Sequence, residues 1–202
     1  MQGTMEQLHK REIDRGDILS LDEYERVRDE RRAALRETRK LRRVEVGPFA
    51  TFHFENYDTL WLQVHEMLRT EKGGDEQIAD ELDAYNPLIP NGRELVATLM
   101  FEIGDKARRE RELGRMGGVE DRIRLRVGDH VIHAEPERDQ ERSTAEGRTS
   151  SVHFLHFPMT DEQAREYRDG AGEAVLEIGH DHYRHSAGLL PDVRKALAAD
   201  LD

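Results

Sequence analysis

The chain has 202 residues, of which 36% are hydrophobic and 37% charged, with a formal net charge of −12. That suffices for one domain with a modest core. It argues against nucleic acid or an anionic membrane surface as partner, because both need a basic face. Cysteine is absent, so thiolate nucleophiles, disulfides and cysteine-ligated metals or clusters are excluded, and any metal must be held by His, Asp, Glu or Tyr.

The first fifteen residues are polar and lack the apolar centre of a signal peptide, and no stretch approaches the ~20 apolar residues of a membrane span. A cytoplasmic location is therefore expected, with residues 1–17 as a flexible segment ahead of a single domain over 18–202. Ser20-Leu21-Asp22-Glu23 has the form of a capping box and opens a helix to about Leu41. Its apolar stripe (Leu21, Tyr24, Val27, Ala34, Leu35, Leu41) is thin, which suits packing one narrow face on its own sheet or on a second copy in a homodimer. The cations from Arg36 to Arg43 complement the dipole of that helix's C-terminus.

Val44–Val46 and Phe49–Phe54 read as strands around Gly47-Pro48. Helical spacing returns over Asp58–Glu71 and Asp75–Tyr85, and Asn86-Pro87-Leu88-Ile89-Pro90 forces a loop. Strands are expected at Leu95–Ile103, Ile123–Val127, Val131–Ala134, Thr149–Phe157 and Ala174–Ile178. Helices are expected near Lys106–Met116, at Asp161–Arg168 behind Thr160, and from Pro191 to Leu201. Glu135–Arg148 is charged and apolar-poor and reads as a mobile loop. The mixture implies an α+β fold, with an antiparallel or mixed sheet, helices packed on one face and a charged N-terminal helix.

The residues nearest to chemistry are the histidines of His180-Asp181-His182-Tyr183-Arg184-His185, expected on a loop past a strand end. Neutral imidazoles suit iron or another divalent transition metal, and Tyr183 or Asp181 can add an oxygen ligand, although the spacing matches no dedicated zinc motif. The plainer reading is an exposed polar loop. His153 and His156 alternate on a strand and so face opposite sides. His65-Glu66 lacks the second histidine of a zinc protease helix, since Arg69 stands where it would be. Glu66 and Glu81 remain as carboxylates that a histidine from another element can meet. Neither a nucleophile elbow nor a phosphate loop is present.

Several words occur together and in order: Phe54-Glu55-Asn56-x-Asp58-Thr59, Glu66-Met67-Leu68-Arg69, Glu81-Leu82-x-Ala84-Tyr85-Asn86-Pro87-Leu88-Ile89-Pro90, Ser151-Val152-His153-Phe154-Leu155 and His180-x-x-Tyr183-Arg184-His185. From about Ile18 to Leu201 the chain resembles the prokaryotic family catalogued as domain of unknown function three-five-zero-one. The resemblance supplies no activity. It implies a setting beside rubrerythrin-like di-iron proteins and iron–sulfur oxidoreductases, and hence a role in redox or oxidative-stress chemistry. Its matching words cover Glu55, Glu66, Glu81, Asn86, His153, His180, Tyr183 and His185, whereas His53, His65, His156 and His182 fall where the family pattern has other residues.

The expectation is thus an accessory protein of an iron-dependent redox system. His153, His180, His185, Glu66 and Glu81 are its candidate metal ligands, and Tyr183, Asn86 and Glu55 its candidate ligand-binding residues. Two rivals stand beside it. One is an enzyme with His153 or His185 as general base assisted by Glu66 or Tyr183. The other is a protein-interaction module docking through the Ser20–Leu41 helix and the Glu135–Arg148 loop.

Overall fold

The computed structural model of the chain describes residues 10–137, 143, 147–170 and 172–202. Helix α1 (Leu21–Lys40) starts at the expected capping box, with Ser20 Oγ accepting from the Glu23 amide and Glu23 reaching back to the Ser20 amide. Strands β1 (Arg43–Val46) and β2 (Ala50–Phe54) form a hairpin. Helix α2 (Tyr57–Glu71) is capped by Asn56, and α3 (Gly74–Tyr85) runs into the turn at Asn86–Leu88. There follow β3 (Glu94–Phe101), α4 (Lys106–Leu113), β4 (Ile123–Val127), β5 (His130–His133) and β6 (Glu135–Pro136). The chain closes with β7 (Val152–Pro158), α5 (Asp161–Asp169), β8 (Ala174–His180), β9 (Tyr183–Gly188) and α6 (Pro191–Ala198).

The fold is α+β, built on two antiparallel sheets. The larger has the order β1-β2-β3-β7-β6 and the smaller β5-β4-β8-β9. Strand alternation decides what each face of the larger sheet meets. On β3, Leu95, Ala97, Leu99 and Phe101 point into a core shared with Leu125, Val127, Leu176 and Ile178 of the smaller sheet. Val96 points the other way, to a second core built by Tyr24, Leu60, Trp61, Val64 and Leu68 of α1 and α2. The large sheet is therefore covered by helices on one face and by the small sheet on the other, and β3 is buried on both.

Three expectations change. The His180–His185 segment is not a loop: it closes a hairpin in which β8 pairs with β9, His180 opposite Tyr183 and Ile178 opposite His185. Strand β9 escaped the sequence pattern because it lies at the edge of its sheet, with Arg184, His185 and Ser186 exposed and only Tyr183 buried. Within Glu135–Arg148, Glu135 and Pro136 pair with His156 and Leu155, while 138–142 and 144–146 lie outside the described residues.

The N-terminal segment, expected to be flexible to residue 17, is held from Lys10 onward. Ile13 is 1% exposed, Arg11 donates to the carbonyls of Pro90 and Asp200, and Trp61 Nε1 donates to Asp17 O. Residues 1–9 lie outside the described residues.

Asn86 makes the decisive link in that segment, its side chain accepting from Ile13 N at 2.8 Å and donating to Ile13 O at 3.1 Å. Replacing Asn86→Ala removes both bonds, each worth about 1 kcal/mol. Amide exchange at Ile13 is expected to accelerate by at least about fivefold, with the strands of the inter-sheet core unchanged. Native-state hydrogen exchange measures it, and unchanged protection at Ile13 contradicts the assignment.

Candidate functional site

The expected metal ligands are dispersed over three layers. His153 is 0% exposed in the inter-sheet core, with Nε2 2.9 Å from Thr149 Oγ1 and 3.1 Å from Ser150 O, and Nδ1 4.0 Å from Glu120. His180 rests its Nε2 3.3 Å from Gly117 O, and its Nδ1 accepts from the His182 amide. His185 is exposed and its ring packs at a tilt against Tyr183, centroids 4.5 Å apart, covering Gly47, where a Cβ would meet the imidazole at 2.6 Å. Glu66 and Glu81 belong to the helix layer on the far face of the larger sheet.

There Glu66 takes a bidentate fork from Arg28 at 2.7 and 2.9 Å and the Tyr24 hydroxyl at 2.6 Å, clamping α1 onto α2. Glu81 accepts from Gln77 at 3.1 Å. Among the described residues, no three His, Asp or Glu side chains come together as a metal site. Strand alternation is the reason, since it sends His153 inward with Leu155 and Phe157 while the carboxylates sit behind the opposite face.

Of the expected ligand-binding residues, two serve the fold. The buried Tyr183 hydroxyl donates to Val46 O at 2.7 Å and accepts from Phe49 N and Ala50 N, closing the β1–β2 turn. Asn86 holds Ile13. Two further histidines are engaged by the fold as well. His65 accepts from Leu19 N on Nε2 and donates from Nδ1 to Trp61 O, and burial lowers its pKa. His156 sits between Glu94 and Glu137, 2.9 Å from each; burial opposes its charge, but the two carboxylates outweigh that and raise its pKa.

Glu55 is different. It stands at the base of a cleft of about 540 Å³ between the C-terminal turns of α1, the helix pair α2–α3 and the helix-facing side of β2, β3 and β7. Its Oε1 accepts from Thr98 at 2.7 Å and its Oε2 from Thr59 at 2.5 Å, and it has no ion pair among the described residues. Leu60, Leu88, Val152 and Phe154 form apolar walls, and Arg36, Arg39, Lys40 and Arg43 line the cleft from the side of α1 and β1.

Lys40 is paired with Glu37, and Arg43 with Glu45 and Glu102. Arg36 and Arg39 have no ion-pair partner among the described residues. Inside the cleft, burial lowers the pKa of His53 against the pull of Glu102 and Glu55, so its ring is neutral near pH 7. Burial also raises the Tyr85 phenol, which sits beside Gln63. The arrangement offers a fixed acceptor, apolar walls and two uncommitted guanidinium groups, which together can hold an organic molecule without covalent chemistry.

A roomier hollow of about 730 Å³ lies on the solvent side of the smaller sheet, but it is lined mostly by polar and charged groups and lacks the apolar walls of the cleft. Arg124 and Arg126 pair with Glu177, and Arg184 with Asp181.

Of the cleft residues, Glu55 is the only one among the expected ligand-binding residues. Thr98 and Gln63 carry no signal in the sequence, and the basic run has the form of a helix terminus. The words at Phe54–Thr59, Glu81–Pro90 and Ser151–Leu155 all contribute to the cleft, Tyr85 among them.

A family model described as a protein of unknown function (DUF3501) matches residues 12–201. The chain belongs to that family. The match reaches back to the segment that Asn86 pins, in keeping with its being part of the folded unit. The crystal structure of a protein of unknown function from Burkholderia pseudomallei K96243 is similar, with a TM-score of 0.87 and 38% identity, covering 94% of this chain and 99% of that one. A search of curated proteins finds no match.

The Glu66 clamp has a pH signature. Its hydrogen bonds from Arg28, against a burial penalty, hold the carboxyl down to about 2 from an ordinary 4.5. A depressed folded pKa contributes stability that is complete above the unfolded value and lost as pH falls through the folded one. Glu66→Gln is therefore expected to lower stability at pH 7 by about 2 kcal/mol, with the deficit shrinking as pH falls from 4.5 toward about 2. Urea denaturation of both proteins at neutral and acidic pH reads this, and a deficit that persists undiminished in acid refutes the clamp.

Proposed function

We propose that the protein binds a small organic anion with an apolar body in the cleft between α1 and the larger sheet. The observation that carries this reading is that Arg36 and Arg39, without ion-pair partners among the described residues, border an apolar-walled cavity of about 540 Å³. Guanidinium groups recognise carboxylate and phosphate through paired hydrogen bonds. Leu60, Leu88 and Phe154 give the ligand's carbon chain a surface to leave water for.

Binding without catalysis fits the histidines. His153 lies between the sheets and His185 on the exposed face of a hairpin, and neither lines the cleft, so neither is placed to act there as a general base. A transition metal held by His153, His180, His185, Glu66 and Glu81 likewise finds no support in where those side chains sit. The wider role remains the one implied by the family resemblance, an accessory to an iron-dependent redox system. Retention of rubrerythrin-like or iron–sulfur oxidoreductase proteins on the immobilised chain tests that setting, and retention no greater than on a control removes it.

Amide chemical-shift mapping with octanoate and octyl phosphate tests the cleft itself. Saturable shifts are expected at Glu55, Thr98 and Phe154, weakening with added salt. The double substitution Arg36→Glu and Arg39→Glu is expected to weaken binding by about tenfold or more. Shifts that map elsewhere, or affinity indifferent to the double reversal, exclude the proposal.

A further inference from the structure

The cleft is lined by charges of both signs. Arg36 and Arg39, on α1, supply the positive ones that have no ion pair among the described residues. The negative one is Glu55, just past β2, whose carboxylate is well fixed for a group with no ion pair among the described residues. Its backbone amide donates to Val96 O at 2.8 Å, its carbonyl accepts from Arg42 at 2.8 Å, and its two oxygens take one hydroxyl each from Thr59 and Thr98.

A carboxylate offers about four lone-pair sites, and two hydroxyl donors leave half of them open. Those hydroxyls orient the group without neutralising it. A half-buried anion oriented in this way gains most from a ligand that brings a positive charge or several N–H donors. The guanidinium groups of the cleft gain from a negative one.

We propose that the ligand is dipolar, with an ammonium or similar multiple donor on Glu55, an anionic group on Arg36 and Arg39, and an apolar stretch between them along Leu60 and Phe154. This rests on the cleft being the binding site and goes further by naming both ends of what it takes. Glu55 then discriminates. It favours a terminal amine over a bare alkyl chain, which binds more weakly because it leaves the carboxylate desolvated and unmatched.

The test is a matched series titrated calorimetrically against the full chain. It comprises butanoate, hexanoate and octanoate, the same acids with a terminal amine, and the corresponding n-alkylamines. At the best-fitting length the amino acid is expected to bind about tenfold or more tighter than either single-ended partner. In Glu55→Gln that advantage over the plain acid is expected to fall to about twofold or less, the amino acid binding more weakly and the plain acid at least as tightly as before.

If the plain acids bind the wild-type chain as tightly as the amino acids, the dipolar reading is overturned and the anion cleft stands. If neither series binds, both fall. Should Glu55→Gln fail to fold, as judged by its amide spectrum, the ranking of the three series on the wild-type chain decides alone.

Discussion

Arg42 sits where α1 ends, β2 leaves the sheet and the C-terminal helix docks, and it brings a full positive charge to a place only 4% exposed. A buried charge is tolerable only when it is paired and its donors are all engaged. Here Asp200 pairs with it, Nε donates to Phe54 O at 3.0 Å, a terminal nitrogen donates to Glu55 O at 2.8 Å, and Arg42 O accepts from Phe54 N. One side chain thus joins the end of α1 to the end of β2 and to the tail of the chain. The cleft depends on that junction. Arg36 and Arg39 lie within two turns before Arg42, and Glu55 is the residue whose carbonyl Arg42 holds. Removing the guanidinium would strand Asp200 and, in the same stroke, uncouple the cationic side of the cleft from its carboxylate base.

The same residue shows what a sequence can and cannot disclose. Local signals were legible because their cause is local. Ser20 with Glu23 announces a helix start, Asn86-Pro87 a stop, and the alternation around His153 and His156 separates the two onto opposite faces. The basic run Arg36–Arg43 was legible only as a set of cations near a helix end. That Arg42 turns inward, while Arg36 and Arg39 have no ion pair among the described residues, is not visible in the run itself: Arg42's partners are Asp200, Phe54 and Glu55, and Asp200 is 158 positions away. The Thr98–Glu55 bond spans 43 positions and exists only because β2 and β3 pair in a register that sets Thr98 beside His53.

Histidine was the misleading signal. Imidazoles invite a metal, and in a cysteine-free chain they are its natural ligands, so clustering in sequence looked like clustering in space. Several rings instead meet local needs. His65 satisfies the Leu19 amide, His156 is bracketed by two glutamates that belong to different elements, and His185 packs over a glycine whose φ of +74° makes the β1–β2 turn. Within the His180–His185 segment the strongest structural contribution comes from the tyrosine, whose one hydroxyl meets three backbone groups of that turn. A two-sheet fold multiplies such duties, because each face of each sheet needs its own polar fittings.

The electrostatics of the whole chain bear on what the cleft can admit. With a net charge of −12, the molecule repels a free anion at long range, although salt limits that repulsion to about 8 Å. Arg36 and Arg39 provide a positive field only locally, so a purely anionic ligand must cross an unfavourable surround before it reaches them. A dipolar ligand of zero net charge meets no such barrier and needs only to be turned the right way once inside. The acidic surface and the bipolar cleft thus favour the same class of molecule, through different terms, one acting on approach and the other on contact.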